Sequence, residues 1–298
     1  MPKGIRGFIK GQKPKHFLRN KRVLVTGAAG SIGSALARTI VKQCPKQLVI
    51  LDCDETGIFD LYEELKETRR VDYVIANIRD IQTLLDIFDL YKPQIVYHAA
   101  AYKHVVLMER YPEEAQKTNI GGTENVIFAA MYGRVEKFIF ISTDKAVNPK
   151  CVMGKTKLEG EKMCLEMNNR KTKFIVVRFG NIMASRGSLI PTWNKQIAEN
   201  KPLTVTHKEM KRYFMGIYEA VDLVLEATRM GKGGEIFVLD MGGQMSISKL
   251  ARWMIRFSGK PLTIKYTSPK KGEKFTEELM TAEEKKRAKK VGNLYVIK

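Results

Sequence analysis

The chain has 298 residues, of which 44% are hydrophobic and 28% charged, and a formal net charge of +20. That length suits one large domain or a two-lobed unit with a real core. No apolar run approaches the ~20 residues a membrane helix needs, and the basic start MPKGIRGFIKGQKPK lacks a signal peptide's apolar stretch, so a cytoplasmic protein is expected.

Strands and helices alternate through the first two-thirds of the chain. RVLVT (22–26) reads as a strand ending in glycines, and 31–43 as a helix. QLVILD (47–52) is a continuous apolar run, as in a parallel strand covered on both faces. A helix is predicted over 58–67, a strand over 73–76, and a helix over 80–91 capped by Asp80 and stopped before Pro93. A strand at 94–98 precedes a long helix over 112–131, with Pro112 suited to its first turn. Strands at 137–141 and 174–178 flank a helix over 152–168. This order predicts an α/β fold, a doubly wound parallel sheet with a smaller C-terminal lobe. Beyond Gly180 the pattern loosens, with helices expected at 217–229 and 248–257 and a strand at 235–240 returning to the sheet.

The charge is uneven. Residues 1–22 hold eight Lys/Arg and no acids (+8), 249–298 hold fourteen and five (+9), and 23–248 hold thirty and twenty-seven (+3). Basic ends can bind nucleic acid or an anionic membrane surface, but charge runs are more often solvated surface. Aromatics are not interleaved with these bases as a stacking platform requires, so no nucleic-acid partner is expected. Cys44, Cys53, Cys151 and Cys164 form no CxxC pair and have no nearby His cluster, so they read as reduced thiols with no metal site.

VLVTGAAGSIGSAL places Gly27, Gly30 and Gly33 between a strand and a helix. In that context the glycines permit a tight turn, close approach of a pyrophosphate and close helix packing, with Ala29, Ser31 and Ile32 beside them at the helix N-terminus. Asp52 ends the second strand where a carboxylate accepts from the adenosine ribose hydroxyls and repels a 2′-phosphate. Cys53, Asp54 and Glu55 follow with no arginine, which favours NAD over NADP. Ala99, Ala100 and Ala101, after the fourth strand, leave room for a dinucleotide or pack a tight core.

STDKAVNP with VMGKTK, YHAAAYKHVVLME, NIGGTENV, VRFGNIMASRGSLIP, RYFM and KGEKFTEEL occur together in this chain. Over roughly 21–280 they resemble the polysaccharide-biosynthesis branch of extended short-chain dehydrogenases/reductases, which contains UDP-N-acetylglucosamine 4,6-dehydratases. The resemblance implies oxidation of the sugar at C4, loss of water across C5 and C6, and hydride return to C6. It implies that Asp144 protonates the leaving hydroxyl, that Lys145 handles the C5 proton and that Thr143 hydrogen-bonds O4. It gives Lys157 the nicotinamide ribose, and Asn119 the support of the lysine helix. Ser142 joins the cofactor set, as do Asn77 and Ile78, although the family's acid before that isoleucine is asparagine here.

The tyrosine expected four residues before Lys157 is Met153, which cannot carry a proton. Members of the family with this methionine retain configuration at C5. For the sugar nucleotide the resemblance points to Arg178, Asn181, Arg186, Ser188, Arg212 and Glu273, with Lys103 and His104 nearby; His104 reads equally as support or site. Val106 replaces a proline and Lys271 another in the basic-Pro-Gly-Glu-Lys segment, which begins with Lys270 where arginine is usual.

The expected organisation is a basic leader over 1–20, an NAD-binding Rossmann domain over 21–180 to which 213–242 returns, and a sugar-nucleotide lobe from 181–212 and 243–298. A UDP-sugar partner and a homodimer are expected. Other NDP-hexose 4,6-dehydratases, a 4-epimerase and a non-catalytic dinucleotide-binding regulator remain alternatives.

Overall fold

The computed structural model describes residues 16–168 and 171–298; most of the basic leader predicted over 1–20 lies outside them. The strands are β1 Arg22–Thr26, β2 Gln47–Asp52, β3 Val71–Ile75, β4 Ile95–His98, β5 Lys137–Ile141 and β6 Lys173–Arg178. They pair in parallel in the order 3-2-1-4-5-6 of a dinucleotide fold. β1 lies at the centre, Val25 opposite Ile50 on one side and Tyr97 on the other. Helices cover both faces, which explains the unbroken apolar run of β2.

Glu235–Leu239 pairs parallel with β6 and extends the sheet. Leu294–Ile297 then pairs antiparallel with Glu235–Leu239, and Lys289–Val291 with Leu294–Ile297. The sequence reading left these last residues in the smaller lobe. The structure moves them to the edge of the main sheet, with Leu294 fully buried.

Three other differences have local causes. The helix predicted from residue 58 runs Glu55–Leu65, because the Asp54 carboxylate accepts from the Gly57 amide and starts it a turn early. The single long helix expected over 112–131 is broken: Pro112–Ala115 leads into a π-helical segment Gln116–Gly122 and then Thr123–Tyr132. The unanticipated short helix Val105–Arg110 precedes it. The smaller lobe packs Trp193, Leu203, Val205, Met210, Ile247 and Ala251 into a separate core. Among the described residues no helix is long and apolar enough to cross a membrane.

Candidate active site

The cleft for a dinucleotide is built where β1 and β4 end. Gly27 has φ +69° and its Cα faces the Ala99–Ala100 backbone so closely that a Cβ would collide with it. The small residues at 99–101 and the first glycine therefore fit one another. Gly30 and Gly33 follow into the helix Ser31–Val41, which carries Ile32 in its first turn. Asp52, at the end of β2, accepts from the Ala29 amide (2.9 Å) and the Asp54 amide (3.0 Å), so its carboxylate is fixed over the loop. Asn77 is exposed and caps its own turn at the Arg79 amide, whereas Ile78 is buried.

The catalytic candidates meet at the C-terminal end of β5. Thr143 Oγ1 donates to Asp144 Oδ1 at 3.0 Å and accepts from the Lys145 amide. Lys145 Nζ bonds Asp144 Oδ1 (2.9 Å) and Asn181 Oδ1 (3.1 Å), so four sequence-chosen residues, Thr143 included, form one chain of contacts. Asp144 is fully buried, and its other oxygen, Oδ2, has no hydrogen-bond partner. Burial alone would lower the Lys145 pKa, but Asp144 and Glu277 outweigh it and hold the ammonium above its ordinary value.

The helix Val152–Glu166 packs against this corner because Gly154 sits against the Lys145 carbonyl, where a Cβ would not fit. It carries Met153 and Lys157, both buried. Met153 lies in an apolar cluster with Met108, Ala115 and Cys151. Lys157 Nζ stands 3.9 Å from the centre of the Phe140 ring, and burial lowers its pKa to about 8. Asn119, in the π-helical segment, donates to Thr156 Oγ1 on the lysine helix (3.0 Å) and exchanges hydrogen bonds with the Tyr102 backbone. It thus ties that helix to the loop after β4.

The remaining candidates divide. Arg186 reaches the cofactor rim: its amide donates to Ser31 Oγ (2.8 Å) and its guanidinium to Asp54 (2.9 Å). Lys103 Nζ bonds the Arg186 carbonyl, and His104 lies against Gly187. Ser188 Oγ is buried with no partner. Arg212 and Glu273 pair at 3.4 Å in the smaller lobe.

Arg178 is a correction. Only 2% exposed, it spends its guanidinium on Glu161, Glu284 and the Leu279 carbonyl, so it braces the interior and offers nothing to a ligand. Ser142 likewise donates to Glu161.

Glu277 was missed. It is 5% exposed, with Oε2 unbonded and Lys274 Nζ 3.9 Å away. Burial, reinforced by Asp144, raises its pKa. Its signal was its place in KGEKFTEEL, four residues after Glu273. No cluster of three or more His, Cys, Asp or Glu suited to a metal occurs among the described residues.

Comparison with known proteins places this geometry. The capsular polysaccharide biosynthesis protein CapD of Staphylococcus aureus is 48% identical over 276 residues, covering 90% of this chain and 46% of that protein. The chain thus spans about half the length of that relative. A UDP-glucose 4-epimerase of Rickettsia bellii is 39% identical, covering 93% of this chain and 83% of the relative. The X-ray structure of Pen from Bacillus thuringiensis superposes with a TM-score of 0.90 at 36% identity, covering 94% of this chain and 89% of that one. The fold is the Rossmann type of the extended short-chain dehydrogenases/reductases. The family described as polysaccharide biosynthesis protein matches residues 23–298, and the chain belongs to it.

Proposed function

We propose that the chain is an NAD-dependent UDP-N-acetylglucosamine 4,6-dehydratase that retains configuration at C5. The observation that carries this reading is the couple of buried Asp144 with half-buried Lys145, one carboxylate oxygen being unpartnered. A reaction that removes a C5 proton and expels the C6 hydroxyl needs an acid and a base side by side. A 2.9 Å hydrogen bond joins the two groups, and a single proton hop along it converts carboxylate and ammonium into carboxylic acid and amine. Desolvation works against the Lys145 ammonium, but Asp144 and Glu277 outweigh it, so Lys145 rests protonated and the hop belongs to the catalytic step. Asp144 then protonates the leaving hydroxyl and Lys145 accepts the C5 proton.

The residues of the cleft fit a nicotinamide dinucleotide. Gly27 allows close backbone approach, Asp52 presents a carboxylate at the ribose position, and Lys157 supplies a cation from the helix Val152–Glu166. A bound dinucleotide would supply the hydride acceptor and later the donor. Asp52 favours NAD, since a 2′-phosphate would meet its charge. Met153 is buried among apolar side chains and carries no proton, so O4 gives its proton to Thr143, Asp144 or a water. Arg212, Glu273, Arg186 and Ser188 are assigned to the UDP portion.

A 4-epimerase is the second reading, favoured by the Rickettsia relative. Epimerisation needs no acid at O6 and no base at C5, and so gives the Asp144–Lys145 couple no role. Incubation with NAD and UDP-N-acetylglucosamine in D2O, followed by NMR, separates the readings. A 4-keto-6-deoxy sugar carrying deuterium at C5 is expected. A 4-epimer without deuterium at C5 selects the epimerase, and nucleotide binding without turnover selects a regulator.

A further inference from the structure

We propose that the helix Ile247–Ser258 presents a docking face for an anionic lipid surface. Its inner side is anchored by Ile247 and Ala251 in the core of the smaller lobe. Ser246 caps its start through the Lys249 amide, and Gly259 closes its end in the left-handed region, so the helix is held at both ends. Lys249, Arg252 and Arg256 line the opposite side at steps of three and four, and Trp253 and Phe257 lie beside them at steps of four from Lys249.

Trp253 is 45% exposed and Phe257 81% exposed, and their rings stack on each other at 5.3 Å with an interplanar angle of 18°. Two large rings facing water are costly unless something covers them. None of the three cations on this face has a carboxylate partner among the described residues.

Charge and shape choose the occupant. Unpaired bases on a segment whose last fifty residues carry +9 favour an anion. Aromatic rings flanked by bases match the boundary of a lipid headgroup layer, where Trp and Phe enter and Lys or Arg stays with the phosphates. The face is a convex helix, which meets a flat surface. A nucleic-acid platform instead spaces its rings along a groove to receive successive bases, and here the two rings cover each other.

The test uses the full chain with phosphatidylcholine vesicles, with and without phosphatidylglycerol. Trp193 is fully buried with its indole N–H on the Thr204 carbonyl, so a change in emission reports Trp253. Flotation with the anionic vesicles and a blue shift are expected. Arg252→Glu with Arg256→Glu should weaken binding roughly tenfold or more, and Trp253→Ala with Phe257→Ala should abolish flotation at physiological salt. Near-UV circular dichroism confirms that both variants are folded.

Absence of binding overturns the proposal. Equal binding to neutral vesicles removes its electrostatic basis. Undiminished binding by both variants overturns the assignment to this helix. Emission changes with single-stranded DNA but not with vesicles make the face a nucleic-acid site instead.

Discussion

Lys145 Nζ bridges Asp144 Oδ1 at 2.9 Å and Asn181 Oδ1 at 3.1 Å, so the end of β5 and the crossover after β6 share one half-buried cation. Its charge is supported from further off by Glu277. Removing the Glu277 charge therefore lowers the Lys145 pKa. Glu277→Gln should shift the alkaline limb of the kcat/KM profile for UDP-N-acetylglucosamine to lower pH. Asp144→Asn should reduce turnover by at least about a hundredfold, the scale of a lost general acid, with little change in NAD affinity. Full activity in the Asp144 variant would remove it as the acid, and an unmoved limb in the Glu277 variant would show that Glu277 does not act through Lys145.

Met153 gives a sharper test of how O4 loses its proton. The side chain is 4% exposed and packs with Met108 and Cys151. Met153→Leu conserves volume and apolarity, so stability should change by less than about 1.5 kcal/mol and kcat should stay within a few-fold. Met153→Tyr adds bulk to a filled cluster, with an expected cost of about 1–3 kcal/mol. A large loss of kcat in the leucine variant, with its fold intact by circular dichroism, would mean that the thioether does more than pack.

Much of this was legible in the sequence, and the failures share a cause. The glycine loop, Asp52, the β5 cluster and the lysine helix were readable because each depends on neighbours within one strand–turn–helix unit. Arg178 was misplaced because its partners Glu161 and Glu284 lie 17 and 106 residues away, and no local pattern reports that two carboxylates claim it. Arg186 shows the same limit. Sequence order left the end of β2 without an arginine, yet Arg186 arrives beside Asp54 from 132 residues along. The edge strands Lys289–Val291 and Leu294–Ile297 were hidden among charged residues, and only pairing with Glu235–Leu239 makes them part of the sheet.

The two arginines should differ in energetic weight. Arg178 and its carboxylates are desolvated, and truncation leaves Glu161, itself 1% exposed, without its partner. Arg178→Ala should destabilise the fold by about 3–5 kcal/mol, read as a lower midpoint of urea unfolding. The Arg186–Asp54 pair is 64% and 41% exposed, so Arg186→Ala should cost no more than about 1 kcal/mol. Equal costs would mean that the interior pair is not the brace its burial implies.

His98 couples the centre of the sheet to pH. Its ring lies between Thr26 Oγ1 (2.7 Å) and Thr123 Oγ1 (3.0 Å), fully buried at the end of β4. Burial, with the Lys157 charge second, lowers its pKa to about 3. In the unfolded chain the same group titrates near 6.5. Between those values the unfolded state holds a proton that the folded state refuses, so stability is full above about pH 6.5 and falls as pH drops towards 3. The slope approaches about 1.4 kcal/mol per pH unit, or about 2–3 kcal/mol between pH 7.5 and 4.5. Carboxylates titrate over part of that range, so the measurement is the difference between wild type and His98→Gln in urea unfolding at several pH values. The variant loses a hydrogen bond at every pH, which offsets its curve without tilting it. Its stability should therefore lie below wild type at neutral pH and converge with or overtake it in acid. Parallel curves across the range would mean that His98 is protonated in the folded protein as readily as in the unfolded chain.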